Sequence, residues 1–178
     1  MRTFLAIIFG TAAVACAASP DTYAAASPSL VAPAELVGGN AGNAAQVLAA
    51  RRYASFWQSG DPALARAALA PGFMDRTLPP GRPQGIDGPL AASEAFHTAV
   101  PDLRCEIRQM IVSGDRVVSH LHFSGHFTGA FKGVQGKGQV VDFIATDIYR
   151  IADGRIAENW HLEDNLTFLQ QIGLVPAG

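Results

Sequence analysis

Cysteine is nearly absent: two in 178 residues, and one of them, Cys16, stands so close to the start that only Cys105 can belong to a folded body. That excludes a disulfide framework, and Cys105, inside a strand-like run, reads as a small buried residue rather than a nucleophile. Charge is also scarce, at 16% of residues with a net value of −2 and the two signs interspersed, so no basic face is available for nucleic acid and no acidic tail is present. The apolar run Phe4 to Val14 is too short to cross a bilayer. The sequence has no internal repeat, no glycine loop with phosphate-cradling spacing and no serine elbow. Gly125, Gly129, Gly133, Gly136 and Gly138 have the spacing of turn residues.

What is present begins with Met1-Arg2-Thr3, the apolar run and small residues around Ala15-Cys16-Ala17, the layout of a secretory signal peptide over 1–17. Ala13-Val14-Ala15-Cys16 also resembles a lipobox, in which Cys16 would be acylated and would supply the only membrane attachment. The expectation is an exported, periplasmic or secreted protein, held to a membrane only if Cys16 carries lipid. Residues 18–42, rich in Ala, Pro, Ser and Gly, read as a flexible tether. A domain over 43–174 remains, long enough to hold a core without metal or bridges.

Asn43 and Gln46 have capping-box spacing, and Val47, Ala50, Ala54 and Trp57 recur at helical period until Gly60. Asp61-Pro62 opens a second helix that ends before Pro71, Phe73 to Arg76 is a short strand, and Leu78 to Pro83 is a loop. Gly85 to Ala99 reads as a third helix, stopped by Pro101. From Leu103 the period becomes two, giving strands over 104–113, 116–127, 139–151 and 155–162 that pair antiparallel in sequence order, then a closing helix over 165–172. Helices followed by a meander make an α+β domain whose helices cover one face of a curved sheet and can enclose a pocket. The apolar alternation leaves the other face suited to a homo-oligomeric contact.

The last two strands concentrate the chemistry, and the turn between them decides which side chains meet. A two-residue Asp153-Gly154 loop sets Asp147 opposite Trp160 and leaves His161 on the other face. A three-residue Ala152-Asp153-Gly154 loop with Gly154 left-handed pairs Asp147 with Asn159 and Ala145 with His161, so that Asp147, Asn159 and His161 share a face. Asp147 and His161 are then diagonal neighbours, roughly 7–8 Å apart at the backbone. The three-residue register is the expectation carried forward. His120, His122, Ser124 and His126 share one strand face, read as polar surface rather than a zinc site for want of a third ligand with metal-site spacing. Asp164 has the position of a helix cap. Trp57, Phe73, Phe96, Phe143 and Trp160 read as pocket wall or core.

Arg51-Arg-Tyr-Ala-Ser-Phe-Trp-Gln-Ser-Gly-Asp61, Gly85-Ile-Asp-Gly88, Val100-Pro-Asp-Leu103, Ser113-Gly-Asp-Arg-Val-Val118, Gly125-His-Phe-Thr-Gly129, Arg150-Ile-Ala-Asp-Gly-Arg-Ile156, Asn159-Trp-His-Leu-Glu-Asp164 and Leu169-Gln-Gln-Ile-Gly173 stand in an order that resembles the SnoaL-like polyketide cyclases. The likeness covers roughly residues 44 to 174. It implies a nuclear transport factor 2-like fold, a cone of curved antiparallel sheet and helices around a deep pocket. It also implies an aldol ring closure without cofactor or metal, driven by an acid/base residue in that pocket. As the residues align, the acid/base Asp of the founding cyclase falls on His161, its pocket His on Asp147, its pocket Gln on Ala145 and its pocket Asn on Asp75. The resulting expectation is His161 as base with Asp147 as its hydrogen-bonded orienter, and Asp75, Asn159, Trp57, Phe143 and Tyr149 as contacts for a small apolar carbonyl compound. The alternative is a domain that binds such a ligand without turnover.

Overall fold

The computed structural model describes residues 29–176. The expected signal peptide and Cys16 lie outside the described residues, as does the first part of the expected tether.

The helical run from residue 44 forms α1, Ala44–Ser59, closed by Gly60 with φ 72°, the left-handed backbone that a glycine adopts without strain. The capping box differs from the expected one. Asn40, not Asn43, accepts from Gly42 N–H, and the Asn43 side chain reciprocates to the Asn40 N–H across a 3-10 turn, Ala41–Asn43. Asp61 caps α2, Pro62–Ala68, through Ala63 N–H, as its Asp-Pro start dictates. A first strand, β1, covers Leu36–Val37, and a second, β2, Leu69–Asp75, is longer than expected. Helix α3 spans Asp87–Ala99. Strands β3 (Arg104–Ser113) and β4 (Arg116–Phe127) come next, then a small hairpin of β5 (Ala130–Phe131) and β6 (Val134–Gln135). Strands β7 (Gln139–Ala152) and β8 (Arg155–Glu163) and helix α4 (Asn165–Gln171) complete the fold. Asp164 accepts from both the N–H and the hydroxyl of Thr167, the expected cap.

The main sheet has the order β1-β3-β4-β7-β8-β2, with β3, β4, β7 and β8 antiparallel to one another and the two edge strands parallel to their neighbours. In β7 the odd-numbered residues from Val141 to Ile151 are buried, and the helices cover this face. Tyr53 and Phe56 of α1, Phe96 of α3 and Phe168 of α4 bring aromatic rings to it.

The tether expectation fails over its last part. Pro33 bridges to Ile107, Ala34 N–H donates to Ile107, and β1 pairs with β3. Arg51 of α1 fastens this segment by donating to the carbonyls of Val31 and Leu30, each at 2.9 Å. Composition suggested a free linker, but β3 would otherwise present an open edge of unpaired backbone groups, and the segment satisfies them.

The register of β7 and β8 also differs from expectation in its cause. Asp153 and Gly154 both have positive φ, 50° and 71°, and Ala152 pairs with Arg155, a two-residue type I′ turn. Between Ile151↔Ile156 and Arg150↔Glu158 the ladder shifts by one residue, leaving Ala157 as a bulge. The bulge reverses the parity set by the turn. Asp147, Asn159 and His161 therefore share the covered face as expected, but Asp147 lies directly opposite His161 instead of diagonal to it.

Candidate functional site

The covered face of the sheet and the helices line a pocket of about 650 Å³ counted out to its open mouth. Its walls are aromatic: Tyr53, Trp57, Phe73, Phe96, Phe123 and Phe143 all line it. Phe123 and Phe143 stack with centroids 5.1 Å apart, and the Trp57 ring meets the Phe123 edge at 6.3 Å. Polar side chains gather on one side, from Asp75, Arg82, Asp147, Asn159, His161, Glu163 and Asn165.

His161 is the most constrained of them. Its Nδ1 lies 2.8 Å from Glu163 Oε1, and its Nε2 lies 3.0 Å from each oxygen of Asp75. Ionised carboxylates only accept, so both ring nitrogens carry hydrogen and the ring is an imidazolium. Burial alone would push its pKa down, but Glu163 and Asp75 outweigh burial and raise it to about 9. The same contact holds the Glu163 carboxyl below its ordinary range against the upward push of burial.

Asp75 reaches this position because β2 runs parallel beside β8, with Asp75 opposite Asn159. Its backbone is gripped by the Gln84 side chain, which accepts from Asp75 N–H and donates to its carbonyl. Thr77 ties the two partners together: its N–H donates to Asp75 Oδ1, and its hydroxyl oxygen accepts from His161 N–H.

Asp147 lies deeper. Asn159 Nδ2 donates to its Oδ1 at 2.8 Å, and the Tyr149 hydroxyl donates to its Oδ2 at 3.0 Å. Burial pushes its carboxyl up to about 6, against the lowering effects of Asn159, the His161 charge and Tyr149.

Asp147 and His161, expected as a hydrogen-bonded pair, face the same pocket without bonding to each other. Both ring nitrogens of His161 are taken by Asp75 and Glu163. Tyr149, expected as a ligand contact, is fully buried and does not line the pocket; it supports Asp147 from behind. Trp160 points to the outer face, opposite Ile148, with the Arg116 guanidinium 5.8 Å from its ring centre. Asp75, Asn159, Trp57 and Phe143 line the pocket as expected. Glu163 was overlooked although it shares the parity of His161 two residues on. Arg82 was overlooked inside a proline-rich loop with no periodic signal. On the outer face, His120 contacts Thr146, His122 contacts Arg108 and Asp142, and His126 contacts Asp102. Among the described residues no cluster of three or more His, Cys, Asp or Glu side chains is arranged to hold a metal. Cys105 is buried, and burial raises its thiol pKa.

Residues 47–172 match the SnoaL-like polyketide cyclase family. Among solved structures, the chain is similar to a candidate polyketide cyclase from Bacillus cereus, at 37% identity over 83% of this chain and 96% of that one, with a TM-score of 0.74. TsrD of Streptomyces laurentii matches at 27% identity over 74% and 97% of the two chains, with a TM-score of 0.67. IdmH of Streptomyces antibioticus, a candidate polyketide cyclase, matches at 26% identity over 70% and 96%, with a TM-score of 0.63. No curated protein sequence matches.

Proposed function

This chain belongs to the SnoaL-like polyketide cyclase family, and on that premise we propose that its pocket moves a proton at a carbon beside a carbonyl, in an aldol-type ring closure or an isomerisation. The observation that carries the reading is the imidazolium of His161, fixed on both nitrogens by Asp75 and Glu163, in the same pocket as Asp147, a carboxyl whose pKa is about 6.

The roles differ from those read in the sequence. With both nitrogens donating, His161 has no lone pair for a substrate proton, so it is not the base. Asp147 is the base: a carboxylate with a pKa near working pH is matched to proton transfer at carbon. It takes the α-proton on an oxygen, and Asn159 and Tyr149 hold it in place through the remaining lone pairs. The enolate develops beside the His161 imidazolium, which is held in place and need not reorganise, and the Arg82 guanidinium in the same pocket supplies the second cation that balances the two carboxylates on His161. In a ring closure the enolate carbon attacks a second carbonyl of the same substrate, and the new alkoxide takes up the proton that Asp147 removed, which returns Asp147 to its carboxylate form. In an isomerisation Asp147 returns its proton at another carbon. The aromatic walls exclude water and match a flat apolar substrate.

The test is α-hydrogen exchange of 2-tetralone in D₂O, followed by NMR. The protein should accelerate exchange, and Asp147→Asn should remove the acceleration by ~10²–10⁴-fold while leaving the domain folded. Exchange no faster with the wild-type chain than with Asp147→Asn would leave a binding domain without turnover.

Export, with lipid at Cys16 as the membrane link, is supported by the Met1 to Ala17 pattern; the intact mass of protein from its native host checks it, and retention of Met1 and Arg2 would overturn it. Self-association is supported by the outer sheet face, where Ile111, Val118, Ile148 and Trp160 form one row across four strands and Val140, Ile144 and Leu162 are exposed. A monomeric mass by light scattering at about 100 μM would count against it.

A further inference from the structure

The two ends of the pocket ask for different groups on a ligand. At the buried end Asn159, 3% exposed, gives its Nδ2 to Asp147, while its Oδ1 is buried with no partner among the described residues. The Nδ2 contact fixes which way the amide points. A buried amide oxygen without a donor is costly, roughly 1–3 kcal/mol, and a ligand hydroxyl placed against it would remove that cost.

At the more open end Arg82 lines the pocket from the loop between β2 and α3. Its guanidinium makes no hydrogen bond or ion pair among the described residues; its backbone N–H is used in a turn to Pro79. The nearby carboxylate does not neutralise it directly. Glu163 feels the Arg82 charge, but its Oε1 is taken by His161 and its Oε2 faces Asn165 Nδ2 at 3.5 Å. A planar fork of five N–H donors at a pocket mouth matches a carboxylate, which it can bind through two parallel hydrogen bonds. The His161 imidazolium balances one of the two negative charges of Asp75 and Glu163, so an incoming anion depends on the Arg82 guanidinium for its counter-charge.

We infer that the ligand is a hydroxy acid with a flat apolar body: its carboxylate meets Arg82 at the mouth, and its hydroxyl, phenolic or enolic, donates to Asn159 Oδ1 at the buried end. This rests on the proposed function for the identity of the pocket as the substrate site, and it narrows the substrate from an apolar carbonyl compound to one bearing an acid group. Arg82 and Asn159 become the specificity residues.

Calorimetric titration at pH 7.5 with three matched probes tests it: 6-hydroxy-2-naphthoic acid, its methyl ester, and 6-methoxy-2-naphthoic acid. The free acid should bind the wild-type chain ~10-fold or more tighter than the ester, because a charge-assisted bidentate contact is lost on esterification. The methoxy acid should bind several-fold more weakly than the hydroxy acid, since it has no hydrogen to give Asn159. Arg82→Gln should erase the acid-over-ester preference, and Arg82→Lys should restore part of it. An ester that binds the wild-type chain as tightly as the acid, a preference that survives Arg82→Gln, or no binding of any probe at 1 mM would each overturn the assignment. The tetralone exchange assay uses a neutral ketone. Exchange without acid preference therefore overturns only the hydroxy-acid assignment, and acid preference without exchange overturns only proton transfer.

Discussion

Asp75 presents both carboxylate oxygens to His161 Nε2, each at 3.0 Å, across 86 positions of sequence. With Glu163 on the other nitrogen, this contact makes the histidine a fixed cation and, in the proposed reaction, leaves the base role to Asp147. The consequences can be measured in pH dependence and in stability.

The rate should follow a bell. As pH rises through about 6, Asp147 loses its proton and kcat/KM for exchange should rise; above about 9, His161 loses its charge and the rate should fall. Tyr149→Phe removes a hydrogen bond that stabilises the Asp147 carboxylate, so it should move the acidic limb to higher pH and leave the alkaline limb in place. A pH profile of both proteins decides this, and an unmoved acidic limb would remove Asp147 from the base role.

Stability should respond to pH in the same direction at both groups, for opposite chemical reasons. The folded pKa of His161 lies above its ordinary value, so the stability it contributes is full below about pH 6.5 and lost as pH rises through about 9. Relative to His161→Gln, the wild-type chain should lose on the order of 2 kcal/mol over that window in urea unfolding, the open pocket mouth screening part of the effect. Asp147 is raised as well, so its ionisation costs stability as pH climbs from about 4 to above 6. Asp147→Asn should therefore gain roughly 2–3 kcal/mol on the wild-type chain between pH 4 and pH 7.

The bulge at Ala157 has a testable geometric role. Deleting Ala157 removes the unpaired residue, so Arg150↔Glu158 follows Ile151↔Ile156 without interruption and Asp147 stays opposite His161 on the covered face. Most of the activity should therefore survive the deletion; its loss with the domain still folded would show that the local twist of the bulge, and not the pairing alone, positions the site. Ala157→Gly keeps the residue count and should retain the register and most of the activity.

The N-terminal segment should be a stabilising part of the fold. Arg51→Ala removes two hydrogen bonds to the carbonyls of Leu30 and Val31, and a loss of about 1–3 kcal/mol in chemical unfolding is expected. Faster hydrogen exchange at Ala34 and Met110, whose N–H groups join this segment to β3, should accompany it. Unchanged exchange at both amides would show that the strand pairing holds without the arginine.

By itself the sequence determined the four main helices, the four long strands and the chemical inventory. Gly60 ended α1, Asp61-Pro62 began α2, and the period-two runs after Leu103 fell on β3, β4, β7 and β8 almost residue for residue. These signals are local: helix and strand periods, caps and turn residues act within a few positions. The order of the motifs pointed to the family, and parity placed Asp147, Asn159 and His161 on one face. What the tertiary structure decided is which of those groups meet. The parity came out as expected by a different route, because a bulge adds one residue to the count and Ala157 carries no side-chain signature of it. The partner of His161 was invisible for a stronger reason: β2 joins the sheet parallel to β8 through a long-range pairing that nothing within a local window specifies. The pKa values that divide the roles followed only from that packing, since burial and neighbouring charge are properties of the assembled pocket and not of the residue types.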